Sequence, residues 1–184
     1  MKNPFVEKEI IFRAIEPGDV PKLWEWFSNP IVRGYGYVSD IIPLWIPFSR
    51  YQMDQVFEEW KKDSTKRFII EHREDKASIG FASFSDEWDP HCPSFDVFIC
   101  LPYRRHSFGQ KAVTMLLDYL FNYTLAHVVT TWLAEYAEAG LRFLQSLGFE
   151  EYGRMRRAGR RDGIWYDIVV LGILRREWQK EPEV

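Results

Sequence analysis

The spacing of apolar positions changes several times along this chain, and each change marks a predicted element. Residues 10–15 read as a short strand closed by Pro17-Gly18. Asp19 then stands as the N-cap of a helix whose Val20, Leu23, Trp24 and Phe27 fall at i, i+3, i+4 and i+7. Pro21 lies in its first turn, where a missing N–H is harmless, and Ser28-Asn29-Pro30 ends it. Residues 34–48 carry aromatics and prolines without a period; too apolar for a linker, they are expected to fold over a pocket or against a neighbour. Ser49 and Gln52 form a capping box ahead of a second helix with Met53, Val56, Phe57 and Trp60 as its stripe.

Strands are predicted over 67–72 and 78–85, joined by the polar turn 73–76, and over 95–101 after a loop holding Asp86, Glu87, Asp89 and His91. A basic turn then leads into a helix that buries Val113, Leu116, Leu117 and Leu120 and runs to about Thr124. The β-branched run 127–133 is a strand. A further helix from about Ala137 buries Ala137, Leu141 and Leu144 and stops at Gly148, a natural left-handed C-cap. Residues 149–155 and 164–174 form a hairpin with Asp162-Gly163 near its turn.

The order β-α-α-β-β-β-α-β-α-β-β implies one mixed sheet with helices on both faces. Hairpins suffice in the first half, and the strand-helix-strand crossover after Leu101 favours a parallel neighbour. A doubly wound nucleotide fold would need strict alternation and ranks second. With 184 residues and no repeat or boundary, a single domain over 1–184 is expected.

Composition narrows the class. Charged residues at 28% and hydrophobic residues at 46% are ordinary for a soluble protein, and a net charge of −3 argues against a nucleic-acid or polybasic membrane partner. Aromatics reach 17%, enough to wall a pocket as well as fill a core. Two cysteines, no apolar leader and no spanning apolar run point to the cytoplasm. His72, His91 and His127 show no metal-ligand spacing with Cys92 or each other, so no metal site is expected.

Candidate chemistry sits between the strand 95–101 and the next helix. A loop that feeds backbone N–H groups and a helix N-terminus toward one point suits a phosphate-bearing ligand. Arg104-Arg105-His106 also reads as a solvated basic turn.

Here the residues resemble the GCN5-related N-acetyltransferase (GNAT) family, and within it the ribosomal-protein-alanine acetyltransferase-like branch. The family's acetyl-CoA motif is Arg or Gln, two residues, Gly, one residue, then Gly or Ala. Arg104-Arg105-His106-Ser107-Phe108-Gly109 occupies its place, with Ser107 departing from the first glycine. FRAIEPGDVPKLWEWFSNP resembles the family's first strand and helix. LRFLQSLGFEEYGRM resembles the end of its fourth helix and its sixth strand, and DGIWYDIVVLGILRREW the terminal strand pair.

The resemblance implies a mixed, mostly antiparallel sheet of about seven strands, flanked by helices and splayed between strands 4 and 5. It implies acetyl-CoA as cosubstrate, with pyrophosphate on the amides of Arg105, His106, Ser107, Phe108, Gly109 and Gln110, beside Arg104. Ser107 can offer its N–H there provided its backbone avoids positive φ. The pantetheine arm would pair with backbone groups of Ile99, Cys100 and Leu101, an N–H near Ile99 polarising the thioester carbonyl. Cys100 reads as a buried small hydrophobe rather than a nucleophile.

An attacking amine must lose a proton. Asp96 leads as base, at a strand position where many relatives carry a glutamate, with Glu87 and Asp86 behind it; each also reads as an exposed carboxylate. Strand alternation puts Asp96, Phe98 and Cys100 on one face. Relatives often have an asparagine near Ala137 and a thiolate-protonating tyrosine near Leu144; both are absent, and Tyr136 substitutes only if it points differently.

Trp45, Tyr35, Tyr37 and Trp165 are candidates to wall an acceptor site for a cationic amine. The expected acceptor is a protein N-terminal α-amine or a small amine, and the aromatic loop is a candidate homodimer contact. Five arginines between Arg154 and Arg161 read first as a solvated hairpin turn and second as a patch for an acidic partner. A non-catalytic acyl-CoA-binding module of the same fold is the alternative function.

Overall fold

The computed structural model describes residues 3–29 and 49–179. The aromatic segment 34–48, with Tyr35, Tyr37 and Trp45, lies outside the described residues. Seven strands form one sheet in the order β1-β2-β3-β4-β5-β7-β6. They are β1 Ile10–Ala14, β2 Lys66–His72, β3 Ser78–Ser85, β4 Ser94–Ile99, β5 Val128–Ala134, β6 Glu150–Arg161 and β7 Ile164–Leu174. The helices are α1 Val20–Ser28, α2 Arg50–Trp60, α3 Phe108–Tyr123, α4 Glu138–Ser146 and a short α5 Arg175–Gln179, which the sequence reading missed. The sheet is mostly antiparallel, with β4 and β5 parallel, so the expected mixed α/β fold stands. Contacts group the chain into two compact units.

The first unit comprises Met1–Ile15, Ser64–Thr130 and Ile173–Val184. In it β1 to β4 form an antiparallel run covered by α3. The apolar stripe of α3 is buried at Val113, Leu116, Leu117 and Leu120, as its period requires. A row of rings, Phe5, Phe12, Phe68, Phe84 and Tyr119, welds that helix to one sheet face. Arg175 ties the chain after β7 to the loop after α3, its guanidinium donating to the carbonyls of Thr124 and Ala126. Trp178 Nε1 donates to Asp118 at 2.9 Å.

The second unit comprises Glu16–Asp63 and Thr131–Gly172. The capping box of α2 forms as expected, Ser49 accepting from the Gln52 N–H and Gln52 accepting from the Ser49 N–H. Phe27 of α1 meets Trp60 of α2 edge-on. Asp19 precedes α1, but its carboxylate bonds backward to the Glu16 N–H at 2.9 Å instead of capping the helix, because a 3₁₀ turn at Pro17–Asp19 intervenes. Gly148 stops α4 with φ +97°.

The hairpin corrects one expectation. Only Asp162-Gly163 forms its turn, both at positive φ. The five arginines are not in a turn but in β6, which a wide irregularity between Met155 and Gly159 allows to continue to Arg161. Arg157 sits in that bulge at φ +51°, its N–H donating to the Asp167 carboxylate.

Candidate active site

The stretch from β4 to α3 lies wholly within the first unit. Cys100 donates its N–H to the Ile79 carbonyl at 2.9 Å. Bonded pairs alternate along an antiparallel ladder, so Val97 and Ile99 turn their N–H and C=O groups away from β3. The register with β5 consists of Ser94 opposite Thr130 among the described residues, which leaves the rest of β4 outside that pairing. The expected strand 95–101 ends at Ile99. The Cys100 carbonyl accepts from Tyr103 and the Leu101 carbonyl from Arg104, closing a 3₁₀ turn over Leu101–Tyr103. Main-chain groups of this strand that face away from β3 are thus those of Val97 and Ile99, while Cys100 and Leu101 serve the ladder and the turn. Cys100 is buried, as a small hydrophobe would be.

Arg104 folds back over the strand end. Its Nε donates to the Ile99 carbonyl at 2.8 Å and its guanidinium covers the Phe98 ring. Arg105 follows at φ +67°, and Ser107 at φ +58°. The proviso that Ser107 avoid positive φ therefore fails: the chain must reverse sharply to enter α3, and serine takes a conformation that glycine would take more cheaply. Its hydroxyl turns to the His106 carbonyl at 2.6 Å and does not cap the helix.

A left-handed residue followed by a helical one brings successive N–H groups to one side, the concave arrangement that holds anions. Here those groups belong to Ser107, Phe108 and Gly109, and the helical ladder begins only with Lys111 donating to Ser107. Phe108 anchors the turn beneath them, buried against His72, Tyr103 and His106. Lys111 pairs with Glu9, fixing the first turn of α3 to the chain before β1.

Asp96 stands upstream on β4, opposite Ser83 of β3. It keeps an exposed face, yet protein packed around the carboxyl pushes its pKa from 3.8 up to about 6, with the Ser83 hydroxyl and the Arg67 charge pulling the other way. Solvent on the open side moderates that push, so its direction is what bears on chemistry. A carboxyl both reachable and raised is suited to accept a proton near neutral pH. Asp86 and Glu87 are exposed on the loop before β4, beyond its opposite end from the α3 turn, next to a Trp88 that is 97% exposed.

The Arg67–Ser83–Asp96 row escaped sequence reasoning. Its one trace there was a serine inside an apolar run, and register cannot be read from that. In the second unit, Ala137 and Leu144 are both buried. Tyr136 packs edge-on against Tyr166 at 4.7 Å with the Arg161 guanidinium over its ring. Trp165 is exposed beneath Arg160. No described helix is long and apolar enough to cross a membrane.

The family model for the GNAT acetyltransferase domain matches residues 9–150, from the approach to β1 to the start of β6. The chain belongs to the GNAT acetyltransferase family. The match is to the GNAT domain as a whole and does not assign the ribosomal-protein-alanine branch. This GNAT chain is 24% identical over 174 residues, 94% of its length and 93% of the relative's, to an SPbeta prophage-derived uncharacterized N-acetyltransferase, YokL, of Bacillus subtilis strain 168. Among solved structures it is similar to a spermidine N-acetyltransferase from Vibrio cholerae in complex with CoA and spermine. That similarity has a TM-score of 0.81 at 17% identity and covers 94% of this chain and 99% of that one. A GNAT-family acetyltransferase from Bacillus anthracis gives 0.79 at 16% identity, covering 94% and 99%. At these identities the two structures speak for the fold.

Proposed function

We propose that this GNAT chain, acting as one domain over 1–184, transfers the acetyl group of acetyl-CoA to the primary amine of a small molecule by direct attack. The observation that carries the reading is the continuity of one stretch. A strand with a carboxyl upstream and outward-turned backbone at Val97 and Ile99 runs into a helix start whose amides no side chain caps.

In this reading the amides of Ser107 to Gln110 hold the pyrophosphate, aided by the helix dipole, and Arg104 stiffens the turn. The Ile99 N–H polarises the thioester carbonyl, and the tetrahedral oxyanion gains from a donor already in place. Asp96, directly or through one water, removes the proton from the ammonium so that nitrogen attacks; Glu87 stands too far along the chain's other loop to be preferred. Nitrogen attack forms the C–N bond in the tetrahedral oxyanion, whose collapse breaks the C–S bond; the nitrogen sheds its second proton to water and the departing thiolate takes one from water, since Leu144 offers none. The similar fold of the V. cholerae spermidine N-acetyltransferase, solved with CoA and spermine, supports a small polycationic acceptor over a protein N-terminus. A cytoplasmic location fits, supported by Cys92 and Cys100 both being thiols.

The test mixes purified protein with acetyl-CoA and a panel of polyamines, other small amines and N-terminal peptides, following binding heat and thiol release. Turnover on polyamines is expected. Gly109→Val should abolish acetyl-CoA binding by placing a branched side chain among the amides. Asp96→Asn should lower kcat by 10²-fold or so while sparing binding, the scale of general-base loss. Binding without turnover on any amine would leave an acyl-CoA-binding module, and no binding at all would overturn the reading.

A further inference from the structure

Three strands place Arg67, Ser83 and Asp96 in one row: Arg67 is registered opposite Ser83, and Ser83 opposite Asp96. Partners in adjacent strands share a face, so the three side chains rise from the same side of the sheet. α3 packs on the other side, through Phe84 and Tyr119. Neighbouring strands stand about 4.8 Å apart, so the Arg67 backbone is about 10 Å from that of Asp96, within reach of a long side chain.

Ser83 is 5% exposed in a strand otherwise filled by Ile79, Phe81, Ala82 and Phe84. A hydroxyl in such a position must be bonded, and among the described residues no buried side-chain polar atom lacks a partner. The side chain opposite it across the ladder, on the same face, is the Asp96 carboxylate. We propose that Ser83 is a positioning residue for the acetyl transfer: its buried hydroxyl holds the Asp96 carboxyl in one orientation, with Arg67 next in the same row. This rests on reading Asp96 as the base.

Physical reasons separate this from simple satisfaction of a buried hydroxyl. A carboxylate has two oxygens, and a donor rooted in the core ties one while the other stays available on the exposed side. Among the described residues, the charged group facing Asp96 from β2 is Arg67; from β3 the facing residue is Ser83, and on β4 the same face carries the uncharged Ser94 and Phe98. Burial around the carboxyl would otherwise leave it protonated over more of the neutral range, and the hydroxyl and guanidinium restrain that. Ser83 thus sets both where the base points and how much of it is ionised.

The experiment compares wild type, Ser83→Ala, Ser83→Thr and Arg67→Gln by carbon-13 NMR titration of the Asp96 carboxyl and by pH profiles of kcat/KM. Ser83→Ala should move the Asp96 midpoint, and the acidic limb with it, upward by roughly half to one pH unit, the scale of one hydrogen bond to a charge. kcat should fall while the KM for acetyl-CoA stays unchanged. Ser83→Thr should restore both readouts, and Arg67→Gln should shift them in the same direction by less. An Asp96 midpoint and limb unmoved in Ser83→Ala would overturn the proposal. If Ser83→Ala does not fold, Ser83→Cys keeps the volume with a weaker donor and carries the same comparison. An acidic limb that survives Asp96→Asn would instead remove Asp96 as base, and the NMR midpoint would still decide whether Ser83 holds the carboxyl.

Discussion

Ser107 enters α3 at φ +58° and carries a cost that the turn requires. A left-handed L-residue is about 1–2 kcal/mol less favourable than one in the right-handed region, and glycine escapes the penalty. Ser107→Gly should therefore stabilise the protein by up to about 1 kcal/mol, less the extra entropy of the unfolded glycine, without loss of acetyl-CoA affinity. Ser107→Val, branched at Cβ, should destabilise it by about 1–2 kcal/mol and weaken binding; urea titration and calorimetry check both. Asp96 has a stability consequence of opposite sense to its chemical use. Its folded pKa of about 6 lies above its ordinary 3.8, so the folded state binds more protons in that window and loses stability as pH rises through it. Asp96→Asn should melt at a higher temperature than wild type at pH 8, with the difference vanishing near pH 4. Equal melting at pH 8 would count against a crowded carboxyl.

At the scale of elements, β3 and β4 fit closely where it matters. A methyl group on Gly80 would overlap the Phe98 carbonyl and press the Ile99 side chain, opposite in register. Gly80→Ala should cost about 1–3 kcal/mol in denaturant unfolding, as overpacking does, and displace the strand end that Arg104 covers. Elements of this kind were legible where the period was long and consistent. The stripe of α3, the capping box of Ser49 and Gln52, the Gly148 stop and the strands at 78–85 and 164–174 all stand as read, because each is set by local spacing. What failed was set by distant partners. The sign of φ at Ser107 follows from how α3 must meet the sheet, and the continuation of β6 through its arginines depends on Asp167 across the hairpin. Asp19 holds the N-cap position of α1 as its sequence suggests, but Pro17-Gly18 closes its own turn first and draws the carboxylate back to the Glu16 N–H. In the candidate site, Asp96 and the α3 turn were visible as residues in order, whereas Ser83 and Arg67 joined them only through pairing register.

At the scale of the whole molecule, the strand order among the described residues leaves two margins to the sheet, β1 and β6. The β1 margin is short and shielded: Val6 bridges to Ile11, and the Phe12 N–H is taken by the Phe5 carbonyl at 2.9 Å. The β6 margin is twelve residues long, carries Tyr152 and Met155 exposed, and displays Arg156, Arg157 and Arg160 to solvent. Long unpaired strand edges invite other chains to pair with them, and rows of like charge repel that approach. The arginines thus act as a guard against self-stacking, whatever else they bind. Arg156→Thr with Arg160→Thr should leave the melting temperature unchanged, yet raise light scattering during storage. Molar salt should do the same to the wild type, since it shortens the reach of each charge to about 3 Å. The same row would then set the ionic strength above which the protein cannot be concentrated.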